Sequence, residues 1–129
     1  MSNINTIHKI TPQIIKKGWG RELIFANDHV NGYCGKFLIF DKAGDIGSMH
    51  SHAIKSESFI VGEGAFNLEC IDPTNATRFT LHLVKGDCVE IPRNQPHRII
   101  CIKPGFIVEA STPHFDDDSY RVEKGDSQR

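Results

Sequence analysis

A chain of 129 residues has room for one domain with a real core and not for two. Its apolar content of 39%, with eight phenylalanines, argues against disorder; no apolar run is long enough to span a bilayer, and residues 1–10 are too polar for a secretion signal. A net charge of −1 gives no field that gathers nucleic acid or an anionic membrane, so neither is expected as a partner, and a cytoplasmic location is expected by default.

In chain order, short apolar runs recur between clusters of Gly, Pro, Asn and Asp. The runs predict strands at residues 20–25, 35–40, 57–62, 65–71, 77–83, 87–91, 97–102 and 106–110, each of ordinary strand length. Residues 27–32 read as a turn closed by the hairpin pair Asn31-Gly32, and Asp72-Pro73-Thr74-Asn75 reads as another. Across 77–83 the alternation puts Phe79, Leu81 and Leu83 on one face and Arg78, Thr80 and His82 on the other. No helical stripe is present, and residues 116–123 suggest only a short terminal turn. The fold class that follows is all-β.

The residues that point to chemistry are His50, His52, Glu57 and His97. On an extended strand residues i and i+2 face the same way, so His50 and His52 offer two imidazoles to one ion. A turn over 53–56 brings Glu57 onto the neighbouring strand as a carboxylate ligand, and His97, after Pro96, closes the site from a strand distant in sequence. Three neutral imidazoles and a carboxylate suit Mn, Fe, Zn, Ni or Co and leave positions open for a substrate. The plainer alternative is four unrelated surface polar side chains. Glycines that bracket both segments, at Gly44, Gly64 and Gly86, weigh against it.

This pattern resembles the cupin family. That family's first motif, a His-x-His pair and a Glu bracketed by glycines, is met by Gly44, His50, His52, Glu57 and Gly64. Its second motif is met at Gly86, Pro92 and His97, while Asn94 stands in place of a Gly and Cys101 in place of an Asn. Asn tolerates the left-handed backbone better than other non-glycine residues, so the first departure is mild. The resemblance implies a double-stranded β-helix (cupin or jelly-roll) barrel holding one divalent metal on His50, His52, Glu57 and His97. It implies an N-terminal arm at 1–16, a barrel at 17–115 and a C-terminal tail at 116–129.

Outside the motifs, Lys17-Gly18-Trp19-Gly20-Arg21-Glu22 resembles the Lys-Pro-Trp-Gly-x-Glu segment of cupins related to mannose-6-phosphate isomerase, with Gly18 in place of Pro. Asp117-Asp118-Ser119-Tyr120-Arg121-Val122-Glu123 is similar to a late segment of the same group. His50, His52, Lys55 and Glu57 also fit the metal segment of the D-lyxose isomerase type, and Glu109-Ala110-Ser111-Thr112-Pro113 looks like its late Glu before Ser-Thr-Pro. These likenesses imply a metal-dependent isomerase or epimerase acting on a sugar or sugar phosphate. The metal chelates adjacent carbonyl and hydroxyl oxygens and stabilises an enediolate, while a base shuttles the proton between neighbouring carbons. Glu109 is the candidate base and Lys55 the candidate group for protonating or orienting the substrate oxygens, against the plainer readings of a strand-end carboxylate and a loop lysine. An Fe(II)-dependent dioxygenase and a non-catalytic sugar-binding cupin are the alternatives.

Other groups carry less. Trp19 suits the core or a sugar face, Arg93 and Arg98 a surface or a phosphate, and Asp116, Asp117 and Asp118 a charged turn. His82 and His114 read as satisfied or solvated imidazoles; His8 and His29 have no readable context; and Glu63, between Gly62 and Gly64, reads as a tight-turn residue facing solvent. The cysteines Cys34, Cys70, Cys88 and Cys101 form no C-x-x-C pair and read as buried free thiols. Residues 1–12 show no apolar period, and a homodimer through this segment or an outer strand is expected because an exposed sheet edge needs covering.

Overall fold

A computed structural model describes residues 6–129; residues 1–5, the start of the expected N-terminal arm, lie outside the described residues. Among the described residues nine strands form in chain order: β1 (Gln13–Lys17), β2 (Gly20–Asp28), β3 (Tyr33–Phe40), β4 (Met49–Ser51), β5 (Glu57–Ile71), β6 (Arg78–Val84), β7 (Cys88–Ile91), β8 (His97–Ser111) and β9 (Tyr120–Glu123). A single 3-10 turn, Asp126–Gln128, follows. No helix among the described residues is long and apolar enough to cross a membrane.

Two long antiparallel strands, β5 and β8, organise everything else. Their first and second halves belong to different faces of the barrel. The start of β5 pairs with the end of β8, Glu57 opposite Ser111, and this half of the sheet extends through β3, β2 and β1 on one side and β7 on the other. The end of β5 pairs with the start of β8, Cys70 opposite His97, and this half extends to β4 and β9 on one side and β6 on the other. All of these strand pairings are antiparallel, and the sheet curls into an all-β barrel.

The corner between the halves corrects the strand reading. Gly62-Glu63-Gly64 and Pro104-Gly105 were expected to separate strands; instead β5 and β8 each run through them, with register shifts from Val61 to Phe66. Gly64 has φ +91°, and a Cβ there would lie 2.5 Å from the carbonyl oxygen of Lys103. Glycine therefore bends the strand without ending it, as at other bulges, and Pro104 sits opposite where no ladder bond is needed. Glu63 does face solvent, where it meets Lys85 Nζ at 2.7 Å, but from a bulge and not from a turn.

Both expected turns form. Asp28 Oδ1 accepts from the backbone N–H groups of Val30 and Asn31, Gly32 takes φ +84°, and Asp72 Oδ1 accepts from Thr74 N–H. The stretch expected as a terminal turn is different: a turn at residues 116–117 is followed by β9, which pairs with β4. An ion-pair cluster binds β9 to the barrel, with Arg78 joining Glu69 and Glu123, and Arg98 joining the same two carboxylates. At the other end β1 pairs along β2 from within residues expected as an arm.

Inside, Trp19, Phe40, Phe59, Phe66 and Ile107 anchor the apolar core, with Trp19 stacked on Phe40 at a centroid distance of 4.4 Å. Cys34, Cys70 and Cys101 are buried free thiols, whereas Cys88, expected to join them, is exposed. The alternation of 77–83 is only partly converted into burial: Leu83 is buried, while Phe79 and Leu81 remain 43% and 42% exposed because β6 pairs only with β5.

Candidate metal centre

The four ligands named from the sequence come together in the barrel. His50 lies on β4 directly opposite His97 on β8, so the strand that closes the site is the immediate neighbour of the first. Glu57 arrives differently from the expectation: β5 does not pair with β4, and the 53–56 connection carries the chain across the barrel to place Glu57 between Ile91 and Ser111. The imidazoles of His50, His52 and His97 converge, with ligand atoms within 4.8 Å of one another. Glu57 Oε1 lies 3.4 Å from His52 Nε2 and 3.2 Å from His97 Nε2.

Backbone carbonyls orient each ring. Nδ1 of His50 meets Ser48 O at 2.9 Å, Nδ1 of His52 meets Asp118 O at 2.5 Å and Nδ1 of His97 meets Gln95 O at 2.8 Å. A carbonyl only accepts, so each Nδ1 carries the proton and each Nε2 presents a lone pair. Burial, reinforced by the neighbouring His97, pushes the His50 pKa down to about 3, and burial also lowers that of His52, so both rings favour the neutral, metal-binding form. Burial works against ionisation of Glu57, but the close approach of His97 and the Lys55 ammonium hold its carboxyl well below the usual range.

Lone pairs therefore face a carboxylate oxygen across the cavity. Glu57 Oε1 is buried and has no hydrogen-bond partner. Acceptors opposed in this way are costly unless a cation lies among them. The donor set of three imidazoles and a carboxylate thus fits a divalent transition metal.

Two further charged groups share this space. Lys55 Nζ lies 3.2 Å from Glu109 Oε2 and 3.5 Å from Glu57 Oε2, and all three side chains are almost fully buried. Glu109 faces inward because it follows Ile107 on the same side of β8 and stands opposite Phe59 and Lys36. Burial and the negative charge of Glu57 raise its pKa to about 7, with Lys55 and Lys36 pulling the other way. For Lys55 burial opposes charge, and the carboxylates of Glu109 and Glu57 outweigh it, raising its pKa.

Asp118 is the organiser that the sequence reading assigned to a charged turn. Its carboxylate accepts from the backbone N–H groups of Ala53 at 2.9 Å, Ile54 at 3.1 Å and Lys55 at 3.0 Å, while its carbonyl orients His52. Lys36 is the other omission. It is buried, 3.6 Å from Glu22 Oε2 and 3.5 Å from His114 Nδ1, and lines the same cavity of about 210 Å³. The signal was available: Lys36 shares strand parity with Cys34, Leu38 and Phe40, all buried. His114, expected as a satisfied or solvated imidazole, is satisfied by Lys36 and Asp116 and also lines this cavity. Arg93 Nε instead donates to Ile54 O, Arg98 is tied to Glu69 and Glu123, and neither lines the cavity. His8, His29 and His82 make local contacts with Thr6, Phe115 and Asn67.

The departures from the cupin motifs have local causes. Asn94 adopts φ +65°, the left-handed geometry of the glycine it replaces, and its N–H donates to His52 O at 2.7 Å. Cys101 is fully buried in the core. A Cβ at Gly18 would lie 2.3 Å from Asp126 O, which explains why the Pro of similar segments is missing here.

No family model matches the chain, and no curated protein matches its sequence. Among solved structures, the capsular polysaccharide assembling protein CapF from Staphylococcus aureus is similar with a TM-score of 0.72 and 21% identity, covering 87% of this chain and 34% of that one. Oxalate decarboxylase from Bacillus subtilis, which has Mn(II) centres, gives 0.71 and 15% over 86% and 30% of the two chains. KdgF from Halomonas sp. gives 0.60 and 22% over 75% and 81%. The chain thus spans about a third of the length of CapF and of the decarboxylase. What these likenesses establish is the fold, and the chain is an all-β cupin barrel.

Proposed function

We propose that the chain is a metal-dependent isomerase or epimerase of a sugar or sugar phosphate. The observation that carries this reading is the seating of Glu109 and Lys55, 3.2 Å apart, in the cavity lined by the metal ligands. His50, His52, Glu57 and His97 would hold a divalent ion, which when bound supplies Lewis acidity to adjacent carbonyl and hydroxyl oxygens of a substrate. Glu109, whose pKa of about 7 suits a base that must also release its proton, takes the proton from the carbon next to the carbonyl. It returns a proton to the neighbouring carbon while the hydroxyl proton passes to the former carbonyl oxygen, so no oxidant or reductant is consumed. The Lys55 ammonium donates hydrogen bonds to the oxygens whose charge changes, and the cavity is open enough for the proton on Glu109 to exchange with solvent between turnovers.

The test is a screen of aldoses, ketoses and their phosphates in D2O, with protein reconstituted separately with Mn, Fe, Co, Ni and Zn. Deuterium incorporation at the carbon next to the carbonyl is read by NMR. Glu109→Gln, which cannot accept the proton, is expected to keep fold and metal while losing roughly 10²–10⁴-fold in turnover. Near-normal turnover in that variant would overturn the assignment. Oxygen uptake without isomerisation would favour an Fe(II) dioxygenase instead.

A further inference from the structure

The charged groups lining the cavity sort into pairs and a remainder. Lys55 is taken by Glu57 and Glu109, Lys36 by Glu22, and Asp116 meets His114 Nε2 at 3.2 Å. Arg121 and Lys17 line the same cavity, and among the described residues neither has an ion-pair or hydrogen-bond partner. Arg121 stands opposite His50 across the β4–β9 pairing, so its side chain leaves the sheet on the side of that ligand.

The tail adds donors beside them. Gly18 N–H donates to Ser127 Oγ at 3.0 Å, which fixes Ser127 next to Lys17 and leaves its hydroxyl proton free. Gly125 N–H donates to Gln128 Oε1 at 2.9 Å, which turns the amide nitrogen of Gln128 into the uncommitted end. Both residues line the cavity. This part of the wall offers a guanidinium, an ammonium, a hydroxyl and an amide N–H₂, all able to donate.

We propose that Arg121 and Lys17, with Ser127 and Gln128, form an anion subsite at the cavity mouth, so that the substrate is a small carbohydrate bearing a carboxylate or a phosphate. The substrate class rests on the isomerase reading above; the anion subsite does not. A cavity of about 210 Å³ lies below the roughly 300–1,000 Å³ of pockets for drug-sized ligands, which favours a single sugar unit. A guanidinium beside a donor wall recognises the planar carboxylate and the phosphate alike.

The experiment has two arms, both on the metal-reconstituted chain of 129 residues. In the first, inorganic phosphate and acetate are titrated calorimetrically into wild type, Arg121→Gln and the Lys17→Gln/Arg121→Gln double variant. Saturable binding that weakens in Arg121→Gln and at least tenfold in the double variant, with metal content unchanged, is expected; no saturable binding to wild type, or binding equal in all three proteins, overturns the subsite. In the second arm D-glucose, D-glucuronate and D-glucose 6-phosphate are compared for binding and for deuterium exchange. One charged sugar is expected to bind at least tenfold tighter than glucose, and which one does so separates carboxylate from phosphate. Equal binding of glucose and both charged sugars overturns the substrate class. Anion binding that depends on Arg121, with no exchange into any sugar, leaves the subsite standing and counts only against the isomerase reading.

Discussion

At the scale of single residues, Asp118 shows how a position far from the motifs holds the site together. Its carboxylate satisfies three consecutive backbone N–H groups in the 53–55 connection, between the ligands His52 and Glu57. Asp118→Ala leaves the buried N–H of Lys55 and the part-buried N–H groups of Ala53 and Ile54 without this acceptor and is expected to lower stability by about 1–3 kcal/mol, read by denaturant unfolding. Burial opposes ionisation of this carboxyl, but the N–H groups of Lys55, Ile54 and Ala53 outweigh it and hold the pKa below the ordinary 3.8. Its contribution is therefore present above pH 3.8 and fades as pH falls through the lower folded value. The stability gap between wild type and Asp118→Asn should shrink as the pH drops through this range; a gap constant with pH would contradict the role.

The elements show what could be read in advance and what could not. His50, His52, Glu57 and His97 were legible because ligand chemistry and strand parity are local properties. Their route into one site was not: Glu57 was expected beside β4 and instead reaches the ligands from the other half of the sheet. Lys36 was missed because a buried lysine is rare, although its parity with Cys34, Leu38 and Phe40 put it on the buried side of the sheet. Strands β1 and β9 carry mostly exposed or half-exposed residues, so their pairing leaves little apolar alternation in the sequence. The glycines in β5 look like a break and act as a corner. Gly64→Ala tests that reading: with φ +91° and a neighbouring carbonyl 2.5 Å from the new Cβ, it is expected to cost about 1–3 kcal/mol. An unchanged unfolding midpoint would show that the bend does not need glycine.

For the molecule as a whole, two features point outward. β6 is an edge strand whose Phe79 and Leu81 are 43% and 42% exposed, and Ile7 and Ile10 in the segment before β1 are exposed as well. An open edge with apolar side chains is a liability in a soluble state, and pairing between two copies relieves it. A homodimer is the proposed form, and light scattering at micromolar concentration should return twice the chain mass of 14.5 kDa. A monomer mass would refute it.

Every catalytic role proposed for this cavity depends first on the metal. The most direct measurement is elemental analysis of wild type and of the variant with His50, His52, Glu57 and His97 all replaced by alanine, each reconstituted with Mn and dialysed, with circular dichroism confirming the β fold of both. One ion per chain in the wild type and almost none in the folded variant is the expected result. Stoichiometric metal retained by the variant would contradict the assignment of these four residues.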